Sequence, residues 1–149
     1  IIMLSACAIM LSRLSTCRRR KVGCVIINRQ FRILSSGYNG TPPGMPHCNE
    51  IGCKSSEECR ALHAEQNAVA FLDGHNRETK YCICTCTPCR SCLKLLATVN
   101  VKRIYVIETD HRDSKETLQR AKEFNMEVIK LDEKRIYQTL SKFNVESNF

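Results

Sequence analysis

Two short groups of ligand-type side chains constrain this chain more than anything else in it. His63-Ala64-Glu65 stands at the start of one predicted helix. Pro88-Cys89-Arg90-Ser91-Cys92 stands at the start of another. Cys89 and Cys92, three apart on a helix, project from one face and suit a tetrahedral metal ion. A helix N-terminus favours the thiolate form that a metal needs. His63 adds a neutral third ligand, so two thiolates balance the charge of Zn²⁺. Three protein ligands leave one position for water, which marks a catalytic rather than a structural zinc. Water in that position ionises near pH ~7. Glu65, two residues from His63, points to a different side of the helix and does not share the metal. It is placed to take the water's proton and hand it on. A lone C-x-x-C pair reads equally well as redox-active or as structural zinc. The two groups in this order, each opening a helix after an apolar strand, point to catalysis.

The rest of the chain supplies a single frame for these groups, with no repeat, low-complexity stretch or linker to divide residues 1–149. Residues 1–14 read as a packed amphipathic helix, since no basic segment precedes their apolar run and no small-residue cleavage site follows. Residues 22–28 and 31–37 read as strands joined by a polar turn at Arg29-Gln30. Residues 38–60 are rich in Gly, Pro and Cys, a length that is unusual without function or a tie. Residues 62–72 read as a helix, with Ala64, Ala68, Phe71 and Leu72 at helical spacing and Asp73-Gly74 as its stop. Then follow a strand at 80–85 and a helix capped by Thr87, with Pro88 as its first residue, running to 99. The remaining pattern is strand 103–108, helix 114–124, strand 127–131 and helix 133–143. Strands alternating with helices predict an α/β fold with a mainly parallel sheet, made mixed by the opening hairpin.

Composition narrows the setting. Eleven cysteines in 149 residues are an odd number without the spacing of a small stapled domain. They read as metal ligands and small buried residues in a reducing, cytoplasmic setting. No run of about 18 apolar residues suggests a membrane span. The formal net charge of +8 suits an anionic partner, and Arg18-Arg19-Arg20-Lys21 is its densest run.

H-x-E followed by P-C-x-x-C is the signature of zinc deaminases. From Ser15 to about Leu131 the chain resembles the deoxycytidylate (dCMP) deaminases of the cytidine deaminase-like superfamily. The resemblance also includes Ser15-Thr16-Cys17, Lys21-Val22-Gly23, Gly37-Tyr38-Asn39-Gly40-Thr41-Pro42, Pro46-His47-Cys48 and Gln66-Asn67-Ala68. It implies a three-layer α/β/α fold around a five-stranded sheet and the conversion of dCMP and water to dUMP and ammonia, a step in dTTP precursor supply. It also implies a homohexamer, with dCTP and dTTP as effectors and Mg²⁺ accompanying them. Glu65 would be catalytic. Tyr38, Asn39, Gly40 and Ala64 would meet the substrate, with Asn39 bonding the deoxyribose or base. Where the family usually has a tyrosine after the fourth strand, this chain has Thr109-Asp110-His111-Arg112, and His111 could stack on the base in its place.

Four further cysteines, Cys17, Cys48, Cys53 and Cys59, bracket the hairpin and the long segment, and could close a structural zinc site. Cys17 and Cys48 match usual ligands of a second zinc in the family, and His47 is a substitute for one of the others. Cys7 and Cys24 read as core and His75 as surface. Cys82, Cys84 and Cys86 share one strand face by alternation, which reads as packing with ligation as the alternative. Arg20 and Lys21 suit a monophosphate, with Arg90 and Arg112 as alternatives. Two other functions stay open. One is a zinc deaminase of another substrate: cytidine, a pterin-like compound or riboflavin precursor, or a base within RNA or DNA. The other is a non-catalytic, zinc-stabilised nucleic-acid-binding module. The Tyr38-Asn39 loop argues against the first. Aromatic residues at 6% and the absence of Trp argue against polynucleotide stacking, so nucleic acid is not an expected partner.

Overall fold

The computed structural model describes residues 1–53, 58–73, 78–108 and 114–142. Strands β1 (Gly23–Asn28) and β2 (Ile33–Tyr38) form the hairpin. Strands β3 (Lys80–Cys86), β4 (Val101–Glu108) and β5 (Glu127–Lys130) extend the sheet in the order β2-β1-β3-β4-β5. β1 runs antiparallel to both β2 and β3, while β3, β4 and β5 are parallel. The sheet is therefore mixed and five-stranded, as the alternation of elements predicts.

Both faces are covered, so the central strands are apolar throughout. On β1, Cys24 and Ile26 face one layer, and Val25 and Ile27 face the other. The first layer holds α3 (Ala64–Ala70), α4 (Arg90–Thr98) and α5 (Ser114–Glu123). Their Ala64, Ala68, Leu93, Leu96 and Ala121 pack on Cys82, Cys84, Ile104 and Val106. The second layer holds α1 (Ile2–Arg13) and α6 (Glu133–Ser141). There Ala8 meets Val25, Ile27, Ile83 and Tyr105, while Ile9, Ile107 and Ile136 form an adjoining cluster. The opening apolar run is thus a packed helix. Among the described residues no helix is long and apolar enough to cross a membrane.

Three local expectations shift. β2 begins at Ile33 rather than at 31, because the Asn28 side chain accepts from the Gln30 and Arg32 amides and draws the turn out. Phe31 adopts the left-handed region there, at φ 61°. Helix α4 is capped by Cys89 rather than Thr87. Pro88 is fully buried and the Thr87 hydroxyl turns to the Glu108 carbonyl across the sheet, 3.5 Å away. The long segment contains one helical turn, α2 (Cys48–Ile51), whose His47 amide donates to Glu50 Oε2 at 3.0 Å.

Helix α3 lies unusually close to the sheet. A Cβ added at Gly37 would stand 2.4 Å from the Ala64 carbonyl oxygen and 2.5 Å from the Ala68 nitrogen. Backbone atoms at that distance cannot swing aside, so only glycine permits this seat. Gly37→Ala is expected to destabilise the fold by about 1–3 kcal/mol, read as a lower midpoint in thermal unfolding. It should also reduce zinc retention, because α3 carries His63 at its start.

Candidate active site

Both ligand groups occupy helix N-caps. His63 precedes α3 and Cys89 precedes α4, each with extended backbone. The Gln66 side chain, at the third helical position, accepts from the His63 amide at 2.7 Å. This is half of a capping box and fixes how His63 enters the helix. Because α3 and α4 pack side by side, the two caps meet. His63 Nδ1 lies 3.4 Å from both Cys89 Sγ and Cys92 Sγ, and the three donor atoms lie within 4.8 Å of one another. A tetrahedral zinc with one nitrogen and one sulfur ligand at ordinary bond lengths separates them by about 3.5 Å. The donor set therefore fits zinc in both chemistry and spacing.

The electrostatics favour a negative sulfur at Cys89. Hydrogen bonds from the Cys92 thiol, the His63 ring, Ser91 and the Cys92 amide hold the Cys89 thiol down at about 3. Ser91 Oγ is 3.0 Å from that sulfur. Cys92 is pushed up by its partner Cys89 and by burial. The bond with Cys89 raises His63. Glu65 is only 3% exposed, and its side chain hydrogen-bonds with Cys92. Burial raises its carboxyl to about 7, opposed by a backbone hydrogen bond. A carboxyl in that range both accepts and releases a proton near neutrality.

The segment after β2 is tied to the start of α3. Gly40 and Leu62 exchange backbone hydrogen bonds of 3.2 and 2.9 Å, and Asn67 Nδ2 donates to the Tyr38 carbonyl at 2.8 Å. Tyr38 is partly exposed and Ala64 fully buried. Asn39 is buried, with its side-chain amide turned to the backbone of Arg20 and Val22. In the basic run, Arg18 Nη2 donates to the Asn49 carbonyl at 2.5 Å, and Arg19 hydrogen-bonds with Cys59. Arg20 is half-buried, while Lys21 and Arg90 are exposed. His75, His111 and Arg112 lie outside the described residues.

Two further thiol groups converge. The sulfurs of Cys48, Cys53 and Cys59 lie within 4.8 Å of one another. Cys17, expected with them, stands outside that spacing but is buried; Cys48 is raised first by burial and then by the charges of Cys59, Cys53 and Cys17. His47 is not in the group; its Nδ1 lies 3.4 Å from the Thr41 hydroxyl. In the core, Cys82 Sγ lies 3.4 Å from Cys24 Sγ and 3.3 Å from Cys84 Sγ. Cys86 points instead to the Thr87 carbonyl. Cys24 joins this group through the β1–β3 register, which pairs it with Cys84.

A mixed sheet with three donors at two adjoining helix caps and a buried carboxylate beside them defines the class of zinc-dependent hydrolytic deaminases. Residues 2–108 match the model of the cytidine and deoxycytidylate deaminase zinc-binding region, and the chain belongs to that family. It is 35% identical over 112 residues to the deoxycytidylate deaminase of Schizosaccharomyces pombe, covering 67% of this chain and 34% of that protein. It is 32% identical over 125 residues to ComE operon protein 2 of Bacillus subtilis, covering 80% and 65%. The chain thus spans about a third of the length of the yeast relatives it matches. The structure of dCMP deaminase from the cyanophage S-TIM5, in complex with dCMP and dUMP, is similar at TM-score 0.69 and 31% identity. That similarity covers 87% of this chain and 94% of the phage chain.

His63→Ala and Cys89→Ser are each expected to lose one equivalent of zinc per chain, while Glu65→Gln keeps it. Elemental analysis of the purified proteins checks all three.

Proposed function

We propose that the chain catalyses hydrolytic deamination of dCMP to dUMP and ammonia, within the supply of dTTP precursors. The observation that carries the reaction is Glu65, buried at 3% exposure beside the His63, Cys89 and Cys92 donors. The substrate is favoured by the likeness to the phage enzyme that holds dCMP and dUMP.

His63, Cys89 and Cys92 would hold the zinc, which when bound supplies the Lewis acidity that makes water nucleophilic near neutral pH. Glu65 accepts a proton from the attacking water and passes it to the ring nitrogen N3. It then takes the remaining proton of the hydroxyl added at C4 and delivers it to the amino nitrogen, so that the carbon–nitrogen bond breaks, the C4 carbonyl forms and ammonia leaves. One C–O bond forms, one C–N bond breaks, and Glu65 returns to its starting state. Its burial excludes bulk water from the proton it carries. Tyr38, Gly40 and Ala64 form the wall for the base and sugar, and Arg20 and Lys21 take the phosphate. Homo-oligomeric assembly and control by dCTP and dTTP belong to the same reading.

Cys48, Cys53 and Cys59, with Cys17 nearby, are assigned to a second, structural zinc. Thiolates on a tetrahedral zinc stand about 3.8 Å apart, compatible with three sulfurs inside 4.8 Å. Such a site ties the segment between β2 and α3, where α2 offers only one turn of regular structure.

Two measurements test these assignments. Zinc-loaded protein should release ammonia from dCMP, and Glu65→Gln should lower kcat by about 10²-fold or more with zinc content unchanged. Activity surviving in that variant would sink the proton-transfer role. Cys48→Ser should bring the zinc count from two per chain to one and lower the unfolding midpoint. A count of one in the parent protein would remove the second site.

A further inference from the structure

Three sulfurs lie together in the core, on the sheet face that α3 and α4 cover, and no step of the deamination uses them. Cys82 Sγ is 3.4 Å from Cys24 Sγ and 3.3 Å from Cys84 Sγ, and all three sulfurs lie within 4.8 Å of one another. The placement follows from the sheet. Cys82 and Cys84, two apart on β3, point to one face. The register of β1 on β3 sets Cys24 opposite Cys84 and Ile26 opposite Cys82, so Cys24 comes up on that same face. Cys86 would continue the row, but its sulfur turns to the Thr87 carbonyl. Among the described residues no fourth ligand-type side chain joins the three.

Their surroundings limit what they can hold. All three are fully buried, among Ala64, Ala68, Leu93, Leu96, Ile104 and Val106. Net charge is costly in such a core. Three thiolates around a monovalent ion leave two negative charges, and around a divalent ion they leave one. Only a trivalent centre leaves none, and thiolate sulfur selects soft centres. Spacing separates the geometries. With bonds of about 2.3 Å to sulfur, a planar three-coordinate ion spreads its ligands to about 4.0 Å, whereas a pyramidal centre with angles of about 95° draws them to about 3.4 Å. The two pairs at 3.3 and 3.4 Å match the pyramid. Trivalent arsenic has that charge, that softness and, through its lone pair, that shape.

We infer that Cys24, Cys82 and Cys84 form a site for trivalent arsenic, bound covalently by all three sulfurs and separate from the zinc donors. Arsenous acid, As(OH)3, supplies it. Three As–O bonds break and three As–S bonds form. Each thiol proton leaves with a hydroxyl as water, so three waters are released, the adduct is neutral, and neither arsenic nor sulfur changes oxidation state. The adduct staples β1 to β3. Sulfurs this deep are reached when the sheet opens locally, or before it has closed. Uptake by the folded protein is therefore slow, and uptake during refolding is fast.

The test gives sodium arsenite to the zinc-loaded protein by two routes: prolonged incubation of the folded chain, and refolding with zinc and arsenite together. Unbound ligand is removed, and arsenic and zinc are counted. One arsenic atom per chain is expected by at least one route, with the zinc count equal to that of an arsenite-free control. X-ray absorption at the arsenic edge should show three sulfur neighbours and no oxygen. Cys82→Ala should lose the arsenic and keep its zinc. If Cys82→Ala does not fold, Cys24→Ser should change the arsenic neighbours from three sulfurs to two sulfurs and one oxygen. Three results each overturn the inference: no arsenic by either route, arsenic gained only as zinc is lost, or arsenic that keeps three sulfurs in these variants.

Discussion

Helix α3 rests on β1 and β2 with its backbone, rather than its side chains, against Gly37. Small residues on the facing side of the helix, Ala64 and Ala68, are fully buried and complete the contact. A separation this small has one solution in translation and rotation, because close-packed backbone atoms do not yield as long side chains do. The direction of His63 is settled by that seat, and so is the depth of Glu65 two residues later. Gln66 and Asn67 then spend their polar groups on fixing the helix start and the strand end beside it. The geometry of the donor cluster is in this sense a property of a helix–sheet contact made outside it.

The second determinant is electrical. Two helix N-termini converge where two cysteines and a histidine meet, and the partial positive charge of a helix start favours thiolate. The Cys89 sulfur is held low by hydrogen bonds before any cation is considered. The buried carboxyl of Glu65 works the other way, since burial raises it. One neighbourhood thus lowers a thiol and raises an acid. The causes differ: hydrogen bonds at the helix cap hold Cys89 down, and burial raises Glu65.

Much of this arrangement is legible in the chain. The helix and strand periods are local, and so are the spacings of His63 with Glu65 and of Cys89 with Cys92. What is not legible depends on register and distance. The side chain of Asn39 bonds to the backbone of residues 17 and 19 positions away, which no spacing rule reports. Strand alternation places Cys82 and Cys84 on one face, but bringing Cys24 to them requires the pairing of β1 with β3. Thr87-Pro88 has the form of a helix start, yet Pro88 is consumed by the core and the cap passes to Cys89. The four residues of α2 are too few for a helical period to appear. The Cys48, Cys53 and Cys59 cluster was legible as composition, while the offset of Cys17 and the bond from Arg19 to Cys59 were not.

His63 and Cys89 are 26 residues apart in the chain, and the intervening stretch includes all of β3, the strand at the centre of the sheet. An ion shared by both residues closes that stretch into a ring. Closing a loop of this length removes freedom from the unfolded chain worth on the order of 3 kcal/mol. The ion that serves chemistry would therefore also act as a clasp during folding, holding the ends of the central strand's loop together while its neighbours are found. Loss of the ion would be felt first as slower and less faithful assembly of the sheet.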